Sequence, residues 1–305
     1  MKGTNKILLG FIVITVASLF IQGYNNIEAN SWLKTSGMFG GSVWALTVTD
    51  DGHILAGSLN SGVYSSADSG QTWVQTNLGN VAVYDFAKSK NYIFAATQRG
   101  VYRSMDNGNN WSLSNSGLNE TRVQAITFLE GNIFASTLVG GLYRSTNNGD
   151  TWTSINEGLP LTHAYALTSD NRGNLYVGDT NGIFRSSNGG NSWERLGAKF
   201  PNVRTNAIIA NANGIYAATQ NGIYHARSKG EIWRDVSAGL DNRYVYDIAY
   251  HAGIMYAGTG EGIYISTNMG RNWRLSGGDD FAVYTVLSNN GSIYIGGNPG
   301  VYFLN

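Results

Sequence analysis

Residues 97–118 read TQRGVYRSMDNGNNWSLSNSGL, and the octet at their centre, SMDNGNNW from Ser104 to Trp111, returns along the whole chain. Ser66 to Trp73 is SADSGQTW, Ser145 to Trp152 STNNGDTW, and Ser186 to Trp193 SSNGGNSW. Ala226 to Trp233 is ARSKGEIW and Ser266 to Trp273 STNMGRNW. The six tryptophans stand 38, 41, 41, 40 and 40 residues apart. A fixed period of this length marks a stack of identical supersecondary units.

Working outward from the octet, a glycine and an I/V/L-Y/F-x-S stretch precede it, as at Gly100-Val101-Tyr102-Arg103-Ser104 and Gly262-Ile263-Tyr264-Ile265-Ser266. Before these lie short β-rich runs such as Ile215 to Thr219 and, earlier still, Val123 to Ile126. After the tryptophan comes a short segment that often ends in Gly-Leu, as at Gly117-Leu118 and Gly239-Leu240. Each repeat thus predicts four short antiparallel strands, A to D, which is the content of one propeller blade. Units begin at Val43, Val83, Val123, Ala164, Thr205, Val245 and Val283, giving seven blades. The seventh reaches Asn305 after strand C, while Trp32 and the residues around it, Ser31 to Met38, look like a post-octet segment. The expectation is an all-β, seven-bladed β-propeller of four-stranded antiparallel blades, closed by an N-terminal strand joining the C-terminal blade.

The octets resemble the Asp-box, or BNR repeat, of sialidases and many other propellers, and the resemblance covers essentially the whole chain after residue 30. Within the octet, Ser/Thr and Asp/Asn side chains are suited to accept backbone N–H bonds, and the glycine to adopt positive φ. Asp68 and Asp106, with Trp73, Trp111, Trp152, Trp193, Trp233 and Trp273, are therefore expected to be structural. Calcium binding is disfavoured, because the acid is replaced by Asn147, Asn188, Asn268 and Ser228 in the other octets, and a hard cation needs several oxygen ligands with carboxylate charge.

Residues 1–30 differ in kind from the rest. Lys2 and Lys6 precede an apolar run from Ile7 to Ile21, followed by a polar stretch. This predicts a signal peptide or an uncleaved N-terminal anchor, with residues 31–305 forming the propeller. The protein is then expected to be exported, to the periplasm, the cell surface or the medium, with membrane attachment only through that N-terminal segment. The sequence has no cysteine, so no disulfide framework supports the fold. Its formal net charge is zero, which argues against nucleic-acid partners. Four scattered histidines, His53, His163, His225 and His251, show no zinc-ligand spacing. No metal and no cofactor are expected, and nothing in the sequence calls for more than a monomer.

Candidate functional residues are those that break the internal repeat near the mouth where the A strands begin. The second position of each A strand holds Trp44, Tyr84, Gln124, Tyr165, Asn206, Tyr246 and Tyr284, a largely aromatic set suited to sugar faces or to packing between blades. Arg122, Arg204 and Arg243 occupy D–A loops and Arg99 a B–C loop, where guanidinium groups can bind carboxylate or phosphate, or pair with loop acids such as Glu120 and Asp241. Asp85 and Asp247 replace a small residue in strand A, and Asp179 replaces the Ser/Thr that ends strand B. Paired carboxylates could serve glycoside hydrolysis, and each could equally cap a turn or hydrogen-bond within the core.

Sialidases have six blades, a three-arginine cluster and a Phe/Tyr-Arg-Ile-Pro motif. This chain has seven units and lacks the motif, so the sialidase roles are not carried over. Photosystem II assembly factors of the Asp-box type are similar in size, blade count and export, and that resemblance implies a non-enzymatic docking platform. The expectation is a binding or scaffold propeller recognising a protein or glycan at the A-strand mouth. The alternative is a glycoside hydrolase or lyase using Asp85, Asp179 or Asp247 there.

Overall fold

The computed structural model describes residues 32–36, 41–160, 163–227, 229–289 and 291–304. The expected export segment, residues 1–30, lies outside the described residues. Among those described, the strands form seven four-stranded antiparallel sheets, and no helix is long and apolar enough to cross a membrane. The chain is a seven-bladed propeller. The innermost A strands are Val43–Val48, Val83–Lys88, Val123–Leu129, Ala166–Ser169, Thr205–Asn211, Val245–His251 and Val283–Asn289. In six blades the order within the sheet is the order along the chain. In the seventh, Leu33–Lys34 supplies the outermost strand, with Leu33 opposite Phe303 and Lys34 opposite Tyr302. The ring is therefore closed within a single sheet, and no blade is left incomplete.

Each sheet buries its broad faces against its neighbours, and B strands such as Ile54–Ser58, Ile93–Thr97 and Ile254–Thr259 are buried along their full length. Close approach between blades depends on a small residue near the end of strand B. A Cβ on Gly57 would lie 2.6 Å from Val83 Cγ1 in the next blade, and one on Gly178 2.7 Å from Thr205 Cβ. Gly296 stands in the same relation to Val43, 2.7 Å from its Cγ1, across the point of closure. These glycines are required by space alone, since the first residue of the following A strand occupies the volume a side chain would need.

The octets form the C–D turns. Ser66 Oγ donates to Asp68 Oδ1 and accepts the Gly70 amide, while Asp68 Oδ1 accepts the Thr72 amide, each at 2.8 Å. Asn147 makes the same bonds through Oδ1 and donates its amide nitrogen to the Thr151 hydroxyl, so asparagine replaces aspartate at no structural cost. The residue before the glycine takes positive φ, from 56° to 61° at Ser69, Asn107, Asn148 and Met269. In the fifth octet, where Ala226 replaces the serine, the Gly230 amide donates to the Arg227 carbonyl instead.

The octet tryptophans join the blades. Trp152 Nε1 donates to the Ser114 carbonyl (2.7 Å), Trp193 to Ile155 (3.2 Å), Trp233 to Leu196 (3.3 Å) and Trp273 to Val236 (2.8 Å), in each case on the preceding blade. Trp73, in the first blade, donates to Thr35 Oγ1 at 3.0 Å, beside the N-terminal strand of the seventh. In these five the indole buries its ring while its polar edge is satisfied across the interface, whereas Trp111 Nε1 donates to the Gly108 carbonyl of its own octet at 2.8 Å.

Gly57→Val is expected to destabilise the fold by about 2 kcal/mol or more through overpacking against Val83, with Gly57→Ala costing less. Urea denaturation of the three proteins measures this, and an unchanged midpoint for Gly57→Val would contradict the interlock.

Candidate functional site

An A strand has a partner on one side only, and its other edge faces the central channel. In six blades the A–B register slips between the first and third residues of strand A, as between Val43 and Ala45 or Val245 and Asp247. The second residue is the inserted one. A bulge of this kind turns side chains out of the normal alternation and bends the strand. Residues at the second and third positions consequently line the same cavity. In the fourth blade the strand starts later, and the Tyr165 amide donates to the Gly178 carbonyl at 3.1 Å.

The cavity at the channel mouth measures about 220 Å³, and all seven second-position residues line it: Trp44, Tyr84, Gln124, Tyr165, Asn206, Tyr246 and Tyr284. They divide the ring in two. On blades six, seven, one and two, Trp44 stacks on Tyr284 with centroids 4.9 Å apart, and Tyr246 meets Tyr284 edge-on at 4.9 Å. Tyr84 approaches Trp44 edge-on at 6.4 Å. On blades three to five the lining is Gln124, Tyr165 and Asn206, with Arg204 lying over the Tyr165 ring at 4.0 Å. Asn206 donates its side-chain amide to the Val245 carbonyl at 2.7 Å, which leaves Oδ1 as an acceptor.

The four loop arginines do not converge. Arg204 alone of them lines the cavity. Arg243 is tied to Asp235 at 2.6 Å and to Asn221, Arg122 sits 5.9 Å from the Tyr84 ring, and Arg99 occupies the exposed B–C turn of blade two. The acids also separate. Asp179 is fully buried outside the cavity lining, where Oδ1 accepts the amides of Asn181 and Gly182 and so caps a B–C turn. Asp85 and Asp247 line the cavity from blades two and six.

Both of these carboxylates bridge blades. Asp85 accepts the Phe86 amide on Oδ1 (2.8 Å) and the Ile126 amide of the next blade on Oδ2 (2.9 Å). Asp247 accepts the Ile248 amide (2.8 Å) and the Val286 amide of the next blade (2.8 Å). They therefore satisfy four inner-edge amides that strand pairing leaves free, the core hydrogen-bonding alternative, with inter-blade partners that spacing did not reveal. Burial pushes the Asp85 carboxyl up to about 7, against the pull of its two amide donors and with some added repulsion from Asp247. Burial likewise lifts Asp247 to about 6. Among the described residues no three His, Cys, Asp or Glu side chains gather as a metal site would need.

The raised pKa values set a direction for stability. Folding favours the protonated carboxyls, so this contribution is complete below about pH 4, the value of a free Asp, and is lost as pH climbs through about 6 to 7. Each acid is expected to contribute on the order of 3 kcal/mol to that loss. Urea denaturation at pH 5 and pH 8 should show a marked fall for the native chain. The fall should be much smaller in an Asp85→Asn/Asp247→Asn variant, whatever that variant's absolute stability.

Comparison with known proteins places the fold among its relatives. No curated protein matches the chain. Among solved structures, the extracellular domain of the one component system BT4673 from B. thetaiotaomicron superposes with a TM-score of 0.77 at 17% identity, covering 91% of this chain. This chain spans only 40% of that one. YCF48 from Cyanidioschyzon merolae gives 0.71 at 18% identity, covering 90% of this chain and 98% of its own, and YCF48 is also known bound to a D1 peptide. A GH74 xyloglucanase from Xanthomonas campestris gives 0.67 at 13% identity, covering 89% and 53%. At such identities the likeness carries the fold and not the activity. A sequence family does match most of the chain, across residues 79–295, and the chain accordingly belongs to the DUF6242 beta propeller domain family.

Proposed function

We propose that this chain is an exported, monomeric propeller that binds a protein or a glycan at the A-strand mouth of its channel, without itself being an enzyme. Residues 1–30 would serve as signal peptide or anchor, and residues 31–305 as the binding module. The octets are Asp-boxes of the BNR type in this reading, supported by their shared hydrogen-bonded turn. The observation that carries the binding role is the cavity itself, where seven blades contribute one residue each to a half-aromatic, half-polar collar. Concave sites with aromatic walls and a few convergent polar groups are the usual form of ligand pockets. A peptide bound to the similarly folded YCF48, and extracellular domains among the similar structures, support a docking role outside the cell.

The hydrolase or lyase reading draws on Asp85 and Asp247, whose acidity is lowered into the range of a general acid. Against it, each of the four carboxylate oxygens already accepts a backbone amide, which gives both acids a complete structural role in joining neighbouring blades. The binding reading is preferred on that ground.

Glycan and peptide arrays probed with the native chain, a Gln124→Trp variant that fills the mouth, and an outer-rim Leu113→Ala variant test it. Binding that survives in the rim variant and falls at least about tenfold in the filled variant is expected, a loss of roughly 1.4 kcal/mol. Binding that is insensitive to Gln124→Trp and lost on the rim would overturn the assignment of the mouth.

A further inference from the structure

Four side-chain atoms of the cavity-lining residues are buried with no hydrogen-bond partner in the protein: Trp44 Nε1, Gln124 Nε2, Arg204 Nε and Asn206 Oδ1. Leaving such atoms unsatisfied costs about 1–3 kcal/mol each, more where the group is charged. Native interiors seldom carry several together, and four around one cavity is a concentration that calls for a partner. Three of the four are donors, and one of the donors is cationic.

Arg204 is the most telling. Several arginines of the blades are already engaged: Arg103 with Asp150, Arg185 with Glu194, Arg243 with Asp235, and Arg144 with Gly189 and Asn191. Among the described residues no carboxylate lies within ion-pair distance of Arg204. Its one strong contact is the face of Tyr165, and a ring stacked on a guanidinium plane leaves the N–H edges available. Those edges match a carboxylate in geometry and charge. Asp85 and Asp247, the acids of the same cavity, are held by backbone amides, and neither is shifted by Arg204.

Resting on the binding role proposed above, we infer that the mouth takes a carboxylate-bearing sugar, a hexuronic acid residue of a glycan, with its carboxylate on Arg204. Gln124 Nε2 and Trp44 Nε1 are the further donors, and Asn206 Oδ1 is the acceptor for a ring hydroxyl, each reached by a side-chain adjustment, since these atoms lie just beneath the cavity wall. A ligand with a carboxylate and hydroxyls on one compact ring matches three donors and one acceptor, which a neutral hydrocarbon or a phosphate does not. A volume of about 220 Å³ suits a single ring, and the Trp44–Tyr246–Tyr284 half supplies flat apolar surface opposite the polar half.

Titration calorimetry of the full chain with galacturonic acid, glucuronic acid and their short oligomers, against the methyl esters and the neutral hexoses, tests the inference. The free acids should bind at least about tenfold more tightly than the esters, as the loss of a charge-assisted contact implies. Arg204→Gln should abolish that preference and Arg204→Lys retain part of it, with circular dichroism showing that both variants fold. Equal affinity for acid and ester, or an unchanged preference in Arg204→Gln, would overturn the carboxylate assignment. Tighter binding of a peptide with a free C-terminal carboxylate than of any uronate would overturn the sugar assignment. Failure of all these ligands, while the arrays still report mouth-dependent binding of another molecule, removes this inference and leaves the binding role standing. Failure of both removes the two together.

Discussion

A twisted four-stranded sheet in this chain has two broad faces and, among the described residues, no helix to cover either. Its only cover is the next copy of itself. Everything else in the molecule follows from the need to bring adjacent blades close enough for that burial. Small residues near the ends of the B strands let the first residue of the next A strand sit directly on the backbone, as Val83 does on Gly57. In four blades the octet indole N–H reaches back to a carbonyl of the preceding blade, so the ring is buried without stranding its polar atom. Because each interface needs a partner, the ring must close, and the short strand Leu33–Lys34 completes the seventh sheet.

Closure creates a second constraint at the centre. Seven A strands present free edges to the channel, where there is no eighth layer to pair with them. Two carboxylates relieve part of this, each accepting one amide from its own strand and one from the next blade. The bulge at the start of six A strands relieves the rest of the geometry, swinging the inserted residue to the mouth. The collar is thus a by-product of how the innermost strands begin. Its chemistry varies because its positions touch one another and the cavity more than they touch the sheet. Four aromatic residues on one side and three polar or mixed positions on the other make an asymmetric site from a symmetric scaffold.

The internal repeat made much of this legible in one dimension. The octet period counts the blades, the segment around Trp32 supplies the missing outer strand, and the interchange of Asp and Asn in the octet marks it as a turn. The same comparison of repeats placed Trp44, Tyr84, Gln124, Tyr165, Asn206, Tyr246 and Tyr284 near the mouth. Pattern breaks were less informative about role. Asp179 and Asp247 both interrupt the repeat, yet one caps a local turn and the other joins two blades at the cavity. The loop arginines look alike in sequence, but Arg243 folds onto Asp235 in the outermost strand of the preceding blade while Arg204 turns onto Tyr165 at the channel mouth.

By itself the sequence determined the number of blades, their strand order, the mode of closure and the ring of positions at the mouth, because these depend on periodicity, and periodicity is a property of the chain. Only the tertiary structure decided which acids spend their oxygens on backbone amides and which arginine keeps its donors free. Those outcomes depend on distances between residues some 40 positions apart, set by how one sheet twists against the next, and no local pattern encodes them.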